Sequence, residues 1–314
     1  MNTGKSLLSI ALLAGSLVLG IGPAIAQTVV VEAGSVHEGD LRSRNDLITV
    51  GDGARVGGLI DSRNAPIQIG DDVVAGDVAT RNGPVTIGRN ARLGSVSSRN
   101  GAISVGNSSQ CEAIDSRNGQ VTIGSDARTG LISSRNGGIE VGERTRVGGF
   151  VETRNGSINL FAESRVDGGI EARNGSISLA QASRVDGSVE TRNGAVTMDQ
   201  ATVTGTVKSR SGDIELVNGS QVEGDIRIDL EDSESSGGWF GIGGDHPDAG
   251  NVSILSGSQV SGDVIVVLPE DYDGEIPTIT VDAESSVEGS LKVDSRVQLE
   301  VEGEVSGGIT ESSE

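Results

Sequence analysis

The sequence predicts an all-β protein, a single-stranded parallel β-helix (β-solenoid) of about fourteen coils, each 18 or 19 residues long. Two observations carry that expectation. Arg-Asn recurs at Arg44, Arg63, Arg81, Arg99, Arg117, Arg135, Arg154, Arg173 and Arg192, then decays to Arg210-Ser211-Gly212, and every step is 18 or 19 residues. A period that short and even marks a solenoid. Within each period apolar residues sit two apart and then further on, as Val85, Ile87, Leu93 and Val96 in one copy and Ile158, Leu160, Val166 and Ile170 in another. Period-two spacing over short runs reads as strand. One coil has no second layer to bury its apolar row, so the next copy must supply it. Stacking at the inter-strand distance of about 4.8 Å places each Ile on the next Ile and makes a rod on the order of 65 Å long. The crossover rule for parallel strands makes the coil right-handed.

In chain order, residues 1–26 read as a secretory signal. Lys5 precedes an apolar run, and Pro23-Ala24-Ile25-Ala26 ends it at an Ala-x-Ala cleavage site. The mature chain is therefore expected to be exported, to the periplasm, cell surface or exterior, with no transmembrane span after cleavage. Val29-Val30-Val31 begins a divergent first coil. The array is regular from there to residue 210, and Ser98-Arg99-Asn100-Gly101-Ala102-Ile103-Ser104-Val105-Gly106 represents it. Asn-Gly accepts positive φ cheaply and is expected to do so at a corner. A second phrase, as in Val185-Asp186-Gly187-Ser188-Val189, supplies the other strand and persists beyond residue 212 at Val222, Val260, Val287 and Val305. Two insertions, 229–250 and 268–278, are expected to protrude. The first holds Trp239 and Phe240 between glycines, a candidate partner contact or a cap on the stack. Residues 311–314 are expected to form a frayed tail.

Charge divides the mature chain sharply. Residues 27–210 hold 20 Lys and Arg against 21 Asp and Glu, whereas residues 211–314 hold 3 against 24. So acidic a chain is a poor partner for nucleic acid. The single cysteine, Cys111, rules out an internal disulfide framework and occupies an inward slot.

Stacking turns each motif position into a column. Unit charges about 4.8 Å apart repel by about 1 kcal/mol in water, so the Arg column needs neutralisation. Asp61, Asp115, Glu152, Glu171 and Glu190, two positions before their arginines, are expected to supply it. The functional reading makes Arg81, Arg99, Arg117, Arg135, Arg154, Arg173 and Arg192 a linear groove for an anionic polymer such as a cell-surface acidic glycan. The structural reading is an Arg ladder neutralised in place. The Asn column reads as an amide ladder. Asp271, Asp273 and Glu275 offer hard oxygen ligands for calcium, although their spacing fits no known calcium loop. No other cofactor is expected, and His37 and His246 lack the companions a zinc site needs. Polysaccharide-active β-helices wall their clefts with long loops on neighbouring coils. The minimal coils of residues 44–210 have none, so the chain reads as non-enzymatic.

Ser209-Arg210-Ser211-Gly212-Asp213-Ile214-Glu215-Leu216 and Thr153-Arg154-Asn155-Gly156-Ser157-Ile158-Asn159-Leu160 carry a resemblance. Over roughly residues 41–226 the chain resembles the bacterial adhesin-type repeat family, which implies a secreted or envelope-exposed β-solenoid with a structural or binding role. It is also similar to bactofilins, whose coils have about this length, which implies a polymer-forming scaffold built by end-to-end self-association.

Overall fold

The computed structural model describes residues 28–230 and 248–312. The expected signal segment, and Trp239 and Phe240, lie outside the described residues. The described chain is all strand and turn, and none of it forms a helix long and apolar enough to cross a membrane. Fourteen short strands, from Val29–Val31 to Gln298–Val301, form one sheet whose order follows the chain. Each pairs in parallel with its counterpart one coil on: Ile48 lies on Ile67, Val85 on Ile103, and Ile103 on Val121. Two further strands complete each coil. Arg55–Val56 pairs with Val74–Ala75, and Ile60–Ser62 with Val78–Thr80. In three successive coils these two merge into the seven-residue strands Arg92–Ser98, Gln110–Ser116 and Arg128–Ser134.

Alternation within the strands decides what lies inside. Ile48 and Val50 are buried while Thr49 between them faces out, and Val56 and Ile60 close the same core from the other sides. Each fully buried Val, Leu or Ile contributes roughly 1.5–3 kcal/mol before ordering entropy is counted. The backbone polar groups are satisfied along the rod axis by the coils above and below, which is what lets so thin a cross-section stay dry.

Two corners set the fold, and they use different chemistry. After the strands of the long sheet from Val29–Val31 to Val252–Ile254 the chain turns through a left-handed residue: Gly53 (φ 67°), Asp72 (φ 59°), Asn90 (φ 57°), Asp126 (φ 60°) and Ala182 (φ 56°) stand at this position in different coils. A small buried residue follows. At some coils its hydroxyl bridges to a neighbour: Ser109 donates to the Gly88 carbonyl at 2.9 Å and accepts the Ala91 N–H at 3.0 Å. Thr145 repeats the pattern on Gly124 and Ala127 at 2.7 and 3.1 Å.

The Ser-Arg-Asn-Gly corner is different, and there the expectation of positive φ fails. In the pairs of this corner, from Asn82-Gly83 to Asn193-Gly194, neither residue is left-handed. From Gly83 onward glycine is favoured instead by proximity, while Asp46 and Ala65 fill the slot in the first two coils. A Cβ on Gly119 would lie 2.1 Å from the Gly101 carbonyl oxygen, and one on Gly137 would lie 2.1 Å from that of Gly119. The serine is buried, and its hydroxyl closes the turn. Ser116 accepts the Gly119 N–H at 3.0 Å and donates to the Gly119 carbonyl at 2.7 Å. The amide ladder forms as expected, each Asn donating to its predecessor from Asn64 on Asn45 to Asn193 on Asn174, at 2.6–2.8 Å.

Both insertions leave the solenoid at this corner. The strand Ile226–Asp229 precedes the first, and Val264–Val267 and Thr278–Val281 flank the second. The second does not protrude as expected. Tyr272 is buried, and its hydroxyl accepts the Ala249 N–H at 2.8 Å and donates to the Glu275 carbonyl at 2.6 Å. Arg296 lies 6.0 Å from the ring centroid and binds the Pro269 carbonyl at 2.8 Å, drawing the segment onto the stack. Nor is the tail frayed from residue 311, since Glu311 and Ser312 belong to the strand Ile309–Ser312, paired with Val293 and Asp294.

The two corners predict opposite responses to the same pair of residues. Gly119→Ala should destabilise by about 1–3 kcal/mol through a backbone clash, whereas Ala182→Gly should stabilise by a few tenths to about 1 kcal/mol by releasing left-handed strain. Thermal unfolding of both variants beside the parent chain checks the pair.

Candidate ligand groove

The asparagine ladder fixes the backbone beside it, and with it the arginine that precedes each Asn. Main-chain bonds do the same, with Arg81 N–H on Ser62, Arg99 on Thr80 and Arg117 on Ser98 at 2.9–3.1 Å. Ten arginines therefore stand in one row at the strand spacing of about 4.8 Å. Eight are exposed, and Arg173 and Arg210 are half-buried. Arg210 Nε is buried without a hydrogen-bond partner.

The expected neutralisation does not form. Among the described residues none of the ten guanidinium groups makes an ion pair or a side-chain hydrogen bond. Asp61, Asp115, Glu152, Glu171 and Glu190 stand on the strand while the arginines stand on the turn two residues later, and no pair closes to within ion-pair distance. Asp115 instead accepts the Ser133 hydroxyl at 2.6 Å. Between the two rows runs a groove of about 540 Å³ lined by Asp115, Arg117, Arg135, Glu152, Arg154 and Arg173, among others. On the other flank of the arginines, Arg99, Arg117, Arg135 and Arg154 line a second hollow of about 440 Å³ with their asparagines. The row thus forms a ridge reachable from both sides.

A second arginine row, absent from the sequence reading, shows what pairing looks like on this scaffold. Arg128, Arg146, Arg165 and Arg184 stack in register on another side of the coil. Arg146 and Arg165 bind Asp167 at 2.8 and 3.0 Å, Arg184 binds Asp186 at 2.7 Å, and Arg165 also pairs with Asp186. Its signal was the phrase Arg165-Val166-Asp167-Gly168 and its neighbour Arg184-Val185-Asp186-Gly187, which puts a carboxylate two residues from each arginine along the same strand end. Burial pushes the Asp167 carboxyl up, but hydrogen bonds from Arg146 and Arg165 outweigh it and hold the group below its ordinary value. Arg89 on Asp71 and Arg144 on Asp126 likewise hold those carboxyls down.

Asp271, Asp273 and Glu275 flank the buried Tyr272 and are not drawn together. Among the described residues no group of three or more His, Cys, Asp and Glu side chains is placed to hold a metal. Cys111 is buried as expected, and burial pushes its thiol up to about 12. Comparison of the chain with protein-family models, with curated proteins and with solved structures gave no match.

Acid should weaken the paired row. The folded-state value of Asp167 lies below the unfolded one of about 3.9, so its contribution is present above that pH and is lost as pH falls through the folded value. Melting temperature should drop between about pH 4 and pH 2, and Asp167→Asn should lower the plateau and flatten the drop. Thermal melts of both chains across that range check it.

Proposed function

We propose that the chain is an exported, non-enzymatic β-solenoid of the cell envelope or exterior, adhesin-like, which holds an acidic glycan along its Arg-Asn row. One observation carries the reading: among the described residues ten stacked guanidinium groups make no ion pair, while Arg146, Arg165 and Arg184 on the same scaffold are paired. Neighbouring charges in such a row repel by about 1 kcal/mol in water, and a polymer carrying one negative charge at each step removes that repulsion. The planar, five-donor guanidinium suits bidentate carboxylate recognition. The minimal coils leave the groove open along its length, which suits a polymer that enters sideways and leaves unchanged. The overall acidity of the chain disfavours nucleic acid at the same row.

Titration of the purified chain with polygalacturonate, followed by calorimetry, should give binding that weakens as salt rises. Replacing Arg81, Arg99, Arg117 and Arg135 together by Ser should lower affinity at least tenfold with the far-ultraviolet circular dichroism unchanged. Binding indifferent to those four substitutions, or confined to DNA, would overturn the reading.

A further inference from the structure

The arginine row is uniform, but the row facing it across the groove is not. Strand register places Ala79, Ser97, Asp115, Ser133, Glu152, Glu171, Glu190 and Lys208 in one outward column. Beside Arg81, Arg99, Arg117 and Arg135 this column offers two serines, an alanine and one carboxylate, Asp115, already engaged by the Ser133 hydroxyl. Beside Arg154, Arg173 and Arg192 it offers three successive glutamates, none of which forms an ion pair among the described residues. Four arginines against one carboxylate leave the first stretch strongly positive, whereas three against three leave the second without net charge. At the following coils the arginine column itself changes sign. Asp229 stands one coil beyond Arg210 and is bound by Arg227 at 2.7 Å.

Resting on the function just proposed, we propose that Glu152, Glu171 and Glu190 set the limit of the binding site. The polyanion lies over the coils of Arg81, Arg99, Arg117 and Arg135, and the glutamate row closes the coils of Arg154, Arg173 and Arg192 to it. A ligand carboxylate placed opposite Arg154 also meets Glu152, and two like charges about 4 Å apart in water cost about what the opposite pair returns. The four open arginines span about 14 Å at the strand spacing. A polymer with one carboxylate on every sugar, an extended hexuronate homopolymer, meets each of them in turn. One with a carboxylate on alternate sugars reaches only half. The ligand class is therefore a homopolymeric hexuronate engaged over about four sugars.

Calorimetry with tetragalacturonate and octagalacturonate at low salt tests this on four full chains: the parent, Arg81→Ser with Arg99→Ser, Arg173→Ser with Arg192→Ser, and Glu152→Gln with Glu171→Gln and Glu190→Gln. The first arginine pair should cost at least tenfold in affinity and the second less than about threefold. The triple glutamine chain should bind the octamer about tenfold more tightly than the parent does, with the tetramer unchanged. Equal losses from the two arginine pairs, or an octamer affinity untouched by the glutamines, would overturn the limit set by the glutamates while leaving the glycan reading standing. A parent chain that binds neither oligomer overturns both.

Discussion

The close approach of one coil to the next at the Ser-Arg-Asn-Gly corner constrains the rest of the molecule. A Cβ at Gly119 would sit 2.1 Å from the Gly101 carbonyl oxygen, so glycine holds this slot from Gly83 to Gly194, and only the first two coils carry Asp46 and Ala65 there. Glycine makes room for that approach, and main-chain bonds such as Arg117 N–H on Ser98 and Asn136 N–H on Arg117 hold successive turns at strand spacing there. With the spacing held, the serine hydroxyl can close the turn from inside and the asparagine amide can reach its neighbour outside. The arginine between them is then left in a row whose pitch it did not choose. Its repulsion is a by-product of the packing, and the proposed ligand answers it.

The two corners divide labour between shape and chemistry. The left-handed corner changes direction, and it accepts Asp72, Asn90, Arg144 or Ala182 because only the backbone matters there. The Arg-Asn corner carries side-chain ladders and both insertions. A solenoid tolerates added residues only where they do not break a strand pair, and Tyr272 shows how an insertion can be stitched back by filling the gap it opens. The paired row of Arg146, Arg165 and Arg184 stiffens a different side, so rigidity and exposure are kept on separate flanks of the rod.

The coil count, the strand positions, the inward residues and the amide ladder were legible in the sequence, because in a solenoid periodicity maps directly onto contact: Ile103 recurs as Val121 in sequence and lies beside it in space. The reason for the corner glycine was not legible. Asn-Gly looks the same whether it serves a left-handed turn or a close approach, and only the neighbouring coil distinguishes them. Pairing of charges failed for the same reason. Glu152 and Arg154 lie two apart, as do Arg165 and Asp167, yet the former straddle a strand and a turn and do not close, whereas the latter meet. Tyr272 was hidden by its rarity, since a single aromatic leaves no periodic trace.

The asparagine ladder has a direction. From Asn64 to Asn193 every side-chain amide donates toward the preceding coil and accepts from the following one, and Ser211 donates to the last of them at 3.2 Å. Amide dipoles aligned head to tail polarise one another, as peptide dipoles do in a helix. The rod therefore carries a line of summed dipoles beside its arginines, with the hydrogen end at the first coils and the oxygen end toward the acidic third. The molecule has an electrical polarity along its axis, so that a charged chain laid on the arginine row would sense which way the protein points.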